Sequence, residues 1–179
     1  MGWAHQSRVE AAAASLESAT AAFVAYLDAL PDAAAIQPLP GGWTASRHAA
    51  HLALTNDVFI GVINGGGPLS AFAGVSDFSD EQWNLDAPPI GVAAPAIVIP
   101  PAEIGRVAAI AELRHSVRRL RSAILSLRPN VAAMCVRLPW AVVSLYQMSE
   151  WGAGHTIRHL GQVSRELQVA AMRDEPVIS

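Results

Sequence analysis

Four stretches of the chain repeat apolar residues at alternating steps of three and four, the period of a helix that buries one face. These stretches predict helices near residues 3–30, 44–63, 104–128 and 144–172. The first three are followed by proline or by a glycine run, where a helix does not readily continue. No stretch alternates convincingly as a half-buried strand would. The pattern therefore predicts an all-α four-helix bundle, with residues 1–179 forming a single domain.

The second predicted helix has a cap and is followed by a long connection. Thr44 stands just before it, and its hydroxyl can accept a hydrogen bond from the free backbone N–H groups of the first turn. About forty residues then separate helices two and three, and they include possible extended pieces around Ile90–Val92 and Ile97–Ile99. A crossover of this length allows helices two and three to run parallel.

Three histidines fall in the apolar stripes of helices two and four. His155 and His159 are four residues apart, so they stand one turn from each other on the same helix face. His51 lies in the stripe of helix two. A buried imidazole needs partners for both ring nitrogens, and one cation between three such rings would supply them. We therefore expect His51, His155 and His159 to form a metal site.

Two motifs in this chain resemble those of the DinB-like family. The first is Gly42-Trp-Thr-Ala-Ser-Arg-His-Ala-Ala-His-Leu52, and the second is Gly154-His-Thr-Ile-Arg-His-Leu-Gly-Gln162. Their order and separation also match, and the resemblance covers nearly the whole chain. It implies a four-helix bundle in which His51, His155 and His159 bind a divalent metal, zinc or nickel.

The resemblance extends to activity and to the assembly. Some DinB-like proteins are transferases or isomerases that use mycothiol or bacillithiol, and Asp80–Asn84 resembles an acidic segment of that branch. Asn84 is therefore a candidate for binding the thiol cofactor, and so is Trp140, which follows a proline just before helix four. DinB-like proteins are often dimers, and the alanine-rich face of helix one also favours a homodimer.

Five other residues are not expected to bind the metal. His48 lies three residues before His51, and we expect it to face the helix flank, partly exposed. Trp43 could line a ligand pocket near the metal, but we rather expect it to fix the turn before helix two onto the core. His5 and His115 have no predicted partners, and Glu150 is expected to point away from His155.

Composition excludes several classes of protein. The net charge is -3, and the arginines of helix three are spread around it, so no basic stripe for nucleic acid forms. The two long uncharged stretches are broken by glycines and prolines, which argues against a membrane span. The N-terminus does not have the pattern of a signal peptide. The lone Cys135 allows no intrachain disulfide, which fits a cytoplasmic protein.

Three functions follow from these predictions. The first is a metal-dependent enzyme that acts with a low-molecular-weight thiol on a small molecule. The second is a metal- or ligand-binding module without turnover. The third is a homodimeric interaction protein.

Overall fold

Four long helices form the body of the protein, as the apolar pattern predicts. A computed structural model describes residues 2–66, 71–75, 93–138 and 142–174. The long helices are α1 (Gly2–Ala29), α3 (Ala45–Ile63), α4 (Arg106–Leu125) and α6 (Leu145–Asp174). Two short helices, α2 (Asp32–Ile36) and α5 (Pro129–Ala132), lie in the connections. The predicted all-α bundle is confirmed, and each predicted helix end lies within three residues of the observed one.

Helices α1 and α6 run in the same direction. Near their first turns, His5 bonds through its ring to the hydroxyl of Tyr146. Further along both helices, Leu16 lies beside Gly152. A Cβ atom at position 152 would lie 3.2 Å from Leu16 Cδ1 and 3.1 Å from Leu120 Cδ2, so glycine allows α6 to lie close to both neighbours. His5, for which the sequence offers no partner, thus contributes to the contact between the first and the last of the four long helices.

Helices α3 and α4 also run parallel to each other. The Arg47 guanidinium at the start of α3 donates to the carbonyl of Pro101, shortly before α4 begins. Ten residues later along α3, Asp57 pairs with Arg119 of α4 at 2.9 Å. The long crossover predicted between them therefore connects two parallel helices, as its length allows.

Helices α3 and α6 run in opposite directions, because His48 lies against His159 whereas Phe59, later in α3, stacks on Trp151, earlier in α6. Helices α1 and α4 therefore also run in opposite directions, and each long helix packs mainly against two others.

A small sheet lies beside the bundle, and the apolar pattern does not predict it. Strand β1 (Ala71–Val75) pairs with β2 (Met134–Arg137), which pairs with β3 (Val142–Ser144), all antiparallel. Strands of three to five residues are too short for a period of two to stand out in the sequence. The lone Cys135 lies in β2 and is buried.

The described end of the crossover folds back onto the start of α3. Residues Ala96–Val98 form a turn of 3-10 helix, whereas an extended piece was expected at Ile97–Ile99. Val98 is buried while its two isoleucine neighbours are half exposed, so the burial alternates as it would in a strand. No strand pairs with this segment in the described residues; instead the carbonyl of Val98 bonds to His51. The predicted extended piece at Ile90–Val92 lies outside the described residues.

The predicted cap of α3 is present. Thr44 has an extended backbone, and its hydroxyl accepts from the backbone N–H of Arg47 at 3.1 Å. We expect Thr44→Ala to lower the free energy of unfolding by about 1 kcal/mol, because one N–H group of the first turn loses its partner. Thr44→Ser keeps the hydroxyl and serves as the control. Urea unfolding of both variants measures the difference, and equal midpoints for alanine and wild type would contradict it.

Within the described ranges, none of the helices is both long and apolar enough to cross a membrane.

Candidate metal centre

Helices α3 and α6 bring three histidines together where they cross. His51 lies in the second turn of α3, and His155 and His159 lie one turn apart on α6. One ring nitrogen from each residue can be chosen so that all three atoms lie within 4.8 Å of one another. His155 Nε2 and His159 Nε2 are the nearest measured pair, at 3.0 Å. The three residues predicted as ligands therefore converge, and ligation itself stays a prediction.

The tautomer of His51 is fixed by the crossover. Its Nδ1 lies 2.8 Å from the carbonyl oxygen of Val98. A carbonyl oxygen only accepts, so Nδ1 carries the proton and Nε2 keeps its lone pair for the other two rings. Ligand histidines in metalloproteins commonly donate their second N–H to such an oxygen, which orients the ring.

The donor set fits a divalent ion of the zinc type. With bonds of about 2.0–2.1 Å, nitrogens around a tetrahedral ion are about 3.3–3.4 Å apart. The 3.0 Å between the Nε2 atoms of His155 and His159 is close to this value. Because the chosen nitrogens of all three rings lie within 4.8 Å of one another, a small movement of the rings would bring every pair to it. In the part of the chain that the structure describes, no cysteine or carboxylate joins the group. Three protein ligands leave a coordination position for water or substrate.

Burial keeps these imidazoles neutral. It is the main reason why the pKa of His51 lies below its usual value of 6.5, although the Val98 hydrogen bond opposes part of the change. Burial also lowers the pKa of His155 and His159 well below 6.5, and the neighbouring histidines lower both further. Neutral imidazole is the form that coordinates metal, so the group is ready to bind at neutral pH.

A fourth histidine lies against the group, contrary to expectation. His48 is only 2% exposed, and its Nδ1 is 2.8 Å from His159 Nδ1. The helical pattern predicts for it a partly exposed position on the helix flank. Residues three apart on a helix are neighbours on its surface, so His48 and His51 can both face α6. Burial lowers the pKa of His48 to about 4, and Glu166 opposes that change.

The Trp43 ring packs against two of the histidines. Its ring centroid lies 5.0 Å from that of His51 and 5.3 Å from that of His48. The Arg47 guanidinium sits 5.5 Å from the Trp43 ring centroid. Of the two places that the sequence allows for Trp43, the ring takes the one that lines the candidate site. The position of Trp43 directly before the cap of α3 was the sequence feature that could have indicated this.

Charged side chains near the histidines are mostly cationic. Arg158 disfavours the protonated form of all three candidate ligands, and Arg47 does the same for His48. Glu166 is the counter-charge: it accepts from the backbone N–H of Gly41 at 2.9 Å and so ties the loop before α3 to α6. The surroundings therefore favour an anionic ligand over a cationic one.

The remaining predicted residues divide into two groups. Asn84 and Trp140, the candidates for binding a thiol cofactor, lie outside the described residues. Glu150 forms an ion pair with Arg8 of α1 at 2.6 Å, and it points away from His155 as expected.

Comparison with known proteins places the chain in a family. The family model of the DinB superfamily matches residues 15–163, which include both histidine motifs. No curated protein and no solved structure matches the chain significantly. The match covers most of the chain and agrees with the helical bundle and its group of three histidines. The chain is therefore a member of the DinB superfamily.

Proposed function

We propose that His51, His155 and His159 bind one divalent metal ion, zinc or nickel, and that the protein is an enzyme that uses it with a low-molecular-weight thiol. The reaction would be a transfer or an isomerisation on a small molecule, with mycothiol or bacillithiol as the thiol. The observation that carries the proposal is the convergence of three neutral imidazoles, two of them buried and one partly buried, with His51 oriented by the carbonyl of Val98.

Each part of the site has a role in this proposal. A divalent ion, when bound, supplies Lewis acidity and lowers the pKa of a coordinated thiol or water. Val98 holds His51 with Nε2 toward the other rings. Arg158 raises the positive potential around the histidines, which favours a thiolate over the neutral thiol. Trp43 offers a flat apolar surface at the edge of the group.

The choice of three neutral ligands supports chemistry over a purely structural site. Neutral imidazoles leave the full charge of the ion in place, whereas carboxylate or thiolate ligands would cancel it. His159 is only partly buried, so an exogenous ligand can approach from its side. Structural zinc sites are instead closed by four protein ligands.

Metal analysis followed by thiol titration tests the proposal. The purified protein is expected to contain about one equivalent of zinc or nickel. A cobalt-substituted sample is then titrated with mycothiol or bacillithiol. Binding of a thiolate is expected to produce a sulfur-to-cobalt charge-transfer absorption, which the corresponding disulfide, used as the control, cannot give.

The outcomes separate the three candidate functions. Thiol that binds and is consumed in the presence of an acceptor substrate supports the enzyme. Binding without consumption would leave a metal- or ligand-binding module. A protein that takes up no metal, at any ratio tested, would remove both and favour an interaction protein, in which His155 and His159 simply hydrogen-bond each other.

A further inference from the structure

We propose that His48 is a positioning residue of the metal centre: it accepts a hydrogen bond from His159 Nδ1–H and thereby holds His159 with Nε2 toward the ion. This inference rests on the proposed binding of a metal by His51, His155 and His159. It adds a fourth histidine that supports the site without being a ligand.

The contact between the two rings is close and specific. The Nδ1 atoms of His48 and His159 are 2.8 Å apart, and the ring centroids are 5.0 Å apart. His48 is held in place by the Trp43 ring on one of its sides and by its position in the first turn of α3. The distance is that of a hydrogen bond, so one of the two Nδ1 atoms donates and the other accepts.

The metal decides which of them donates. His159 Nε2 is the atom that faces His155 Nε2, at 3.0 Å, and it is therefore the atom available to a shared ion. Coordination needs its lone pair, so the single proton of neutral His159 must be on Nδ1. His48 Nδ1 then accepts, and the proton of His48 lies on its Nε2. The reverse arrangement would put a proton on His159 Nε2 and block coordination.

The state of His48 Nε2 indicates that the contact between His48 and His159 does more than fill space in the core. Among the described residues, His48 Nε2 is buried and has no hydrogen-bond partner. Leaving a buried donor unsatisfied destabilises a fold, and an apolar side chain at this place in the core would avoid that loss. A residue that orients a metal ligand gives a reason for retaining a histidine here, because such outer partners affect metal affinity strongly.

Two substitutions of His48 test this role in the full-length protein. His48→Leu removes the acceptor, and we expect it to weaken zinc binding by about 10–100-fold. His48→Asn places its Oδ1 where histidine has Nδ1, so it can still accept from His159, and zinc affinity should stay within a few-fold of wild type. The matched control is His115→Leu, which removes an exposed histidine of α4 and should leave affinity unchanged. Competition with a chromophoric chelator measures the dissociation constants.

The results distinguish failure of the positioning role of His48 from failure of the proposed metal site. If wild type binds no zinc, the proposed metal site itself fails. If wild type binds zinc and His48→Leu binds it equally well, only the positioning role fails. Loss of zinc in both His48 variants, with a cobalt spectrum that changes in ligand number, would make His48 a ligand and also overturn the inference.

A measurement on the unaltered protein covers the case in which a variant does not fold. Nitrogen-15 NMR of the histidine rings in the zinc-loaded wild type reports which nitrogen of each ring carries its proton. We expect His159 to be protonated at Nδ1 and His48 at Nε2. A proton on His48 Nδ1 in the zinc-loaded protein would contradict the assignment directly.

Discussion

Replacing His155 by alanine is expected to abolish stoichiometric metal binding while leaving the helices intact. His155 is buried, and its Nε2 lies 3.0 Å from that of His159. Without it, only two of the three imidazoles remain, and two ligands on different helices hold an ion poorly. We expect the affinity for zinc to fall by more than about 100-fold, beyond the range typical of losing an outer partner. Alanine has the highest helix propensity, so α6 itself should not be disturbed.

Equilibrium dialysis with zinc, followed by metal analysis, measures this effect. Far-ultraviolet circular dichroism on the same samples reports the helical content. His115→Ala is the matched control, because it removes a histidine from an exposed position on α4. A His155→Ala protein that keeps a full equivalent of zinc would show that the ion, if bound, is held elsewhere.

The metal-free protein is expected to lose stability as pH falls from about 6.5 toward 4. Burial lowers the pKa of all four clustered histidines in the folded protein, in the case of His48 from 6.5 to about 4. Above 6.5 neither the folded nor the unfolded chain binds these protons, so the full stability is present. Below 6.5 the unfolded chain takes up protons that the folded protein cannot, and the free energy of unfolding decreases. His48 alone accounts for a loss on the order of 3 kcal/mol over this range.

Urea unfolding of the metal-free protein at several pH values checks this prediction. The range between pH 6.5 and 5 is the most informative, because ordinary carboxyl groups titrate mainly below it. His48→Asn should make the decline shallower, whereas His115→Asn, at the exposed position, should not. A free energy of unfolding that stays constant from pH 7 to 5 would contradict the expected burial of neutral histidines. For the same reason, metal affinity should weaken in this range, since protonated imidazole cannot coordinate.

The sequence predicted the grouping of the three histidines because helix periodicity is simple. His155 and His159 lie one turn apart whatever the neighbouring helices do, and His51 shares the apolar stripe of its own helix. Once the bundle was inferred, three residues in facing stripes had to lie near its interior. The same reasoning gave the four long helices and the cap at Thr44, which depend on local pattern alone.

The parts that escaped prediction depend on how the helices are rotated and on backbone atoms. Whether His48 faces α6 or solvent is decided by the rotation of α3 about its axis, and a stripe fixes that rotation only to within about a third of a turn. The partner of His51 is the carbonyl of Val98, and a backbone oxygen has no signature in a sequence. The position of the Trp43 ring was left open for a similar reason, because the path of the chain before α3 sets where that ring lies.

The order in which the long helices are paired affects how the chain can fold. None of the extensive contacts between the described helices joins two long helices that follow each other through a short turn. The bond between Asn56 and Ser116, which links α3 to α4, joins residues 60 apart in sequence. The bond between Arg8 and Glu150, which links α1 to α6, joins residues 142 apart. An up-and-down bundle can form one helical hairpin first and add to it, but here each pairing closes a long loop. Proteins with such distant contacts fold more slowly than helical bundles built from local ones. During synthesis, α1 has to wait first for α4 and then for α6, so part of its apolar face stays uncovered until α6 has been made. In this interval the protein is most exposed to aggregation.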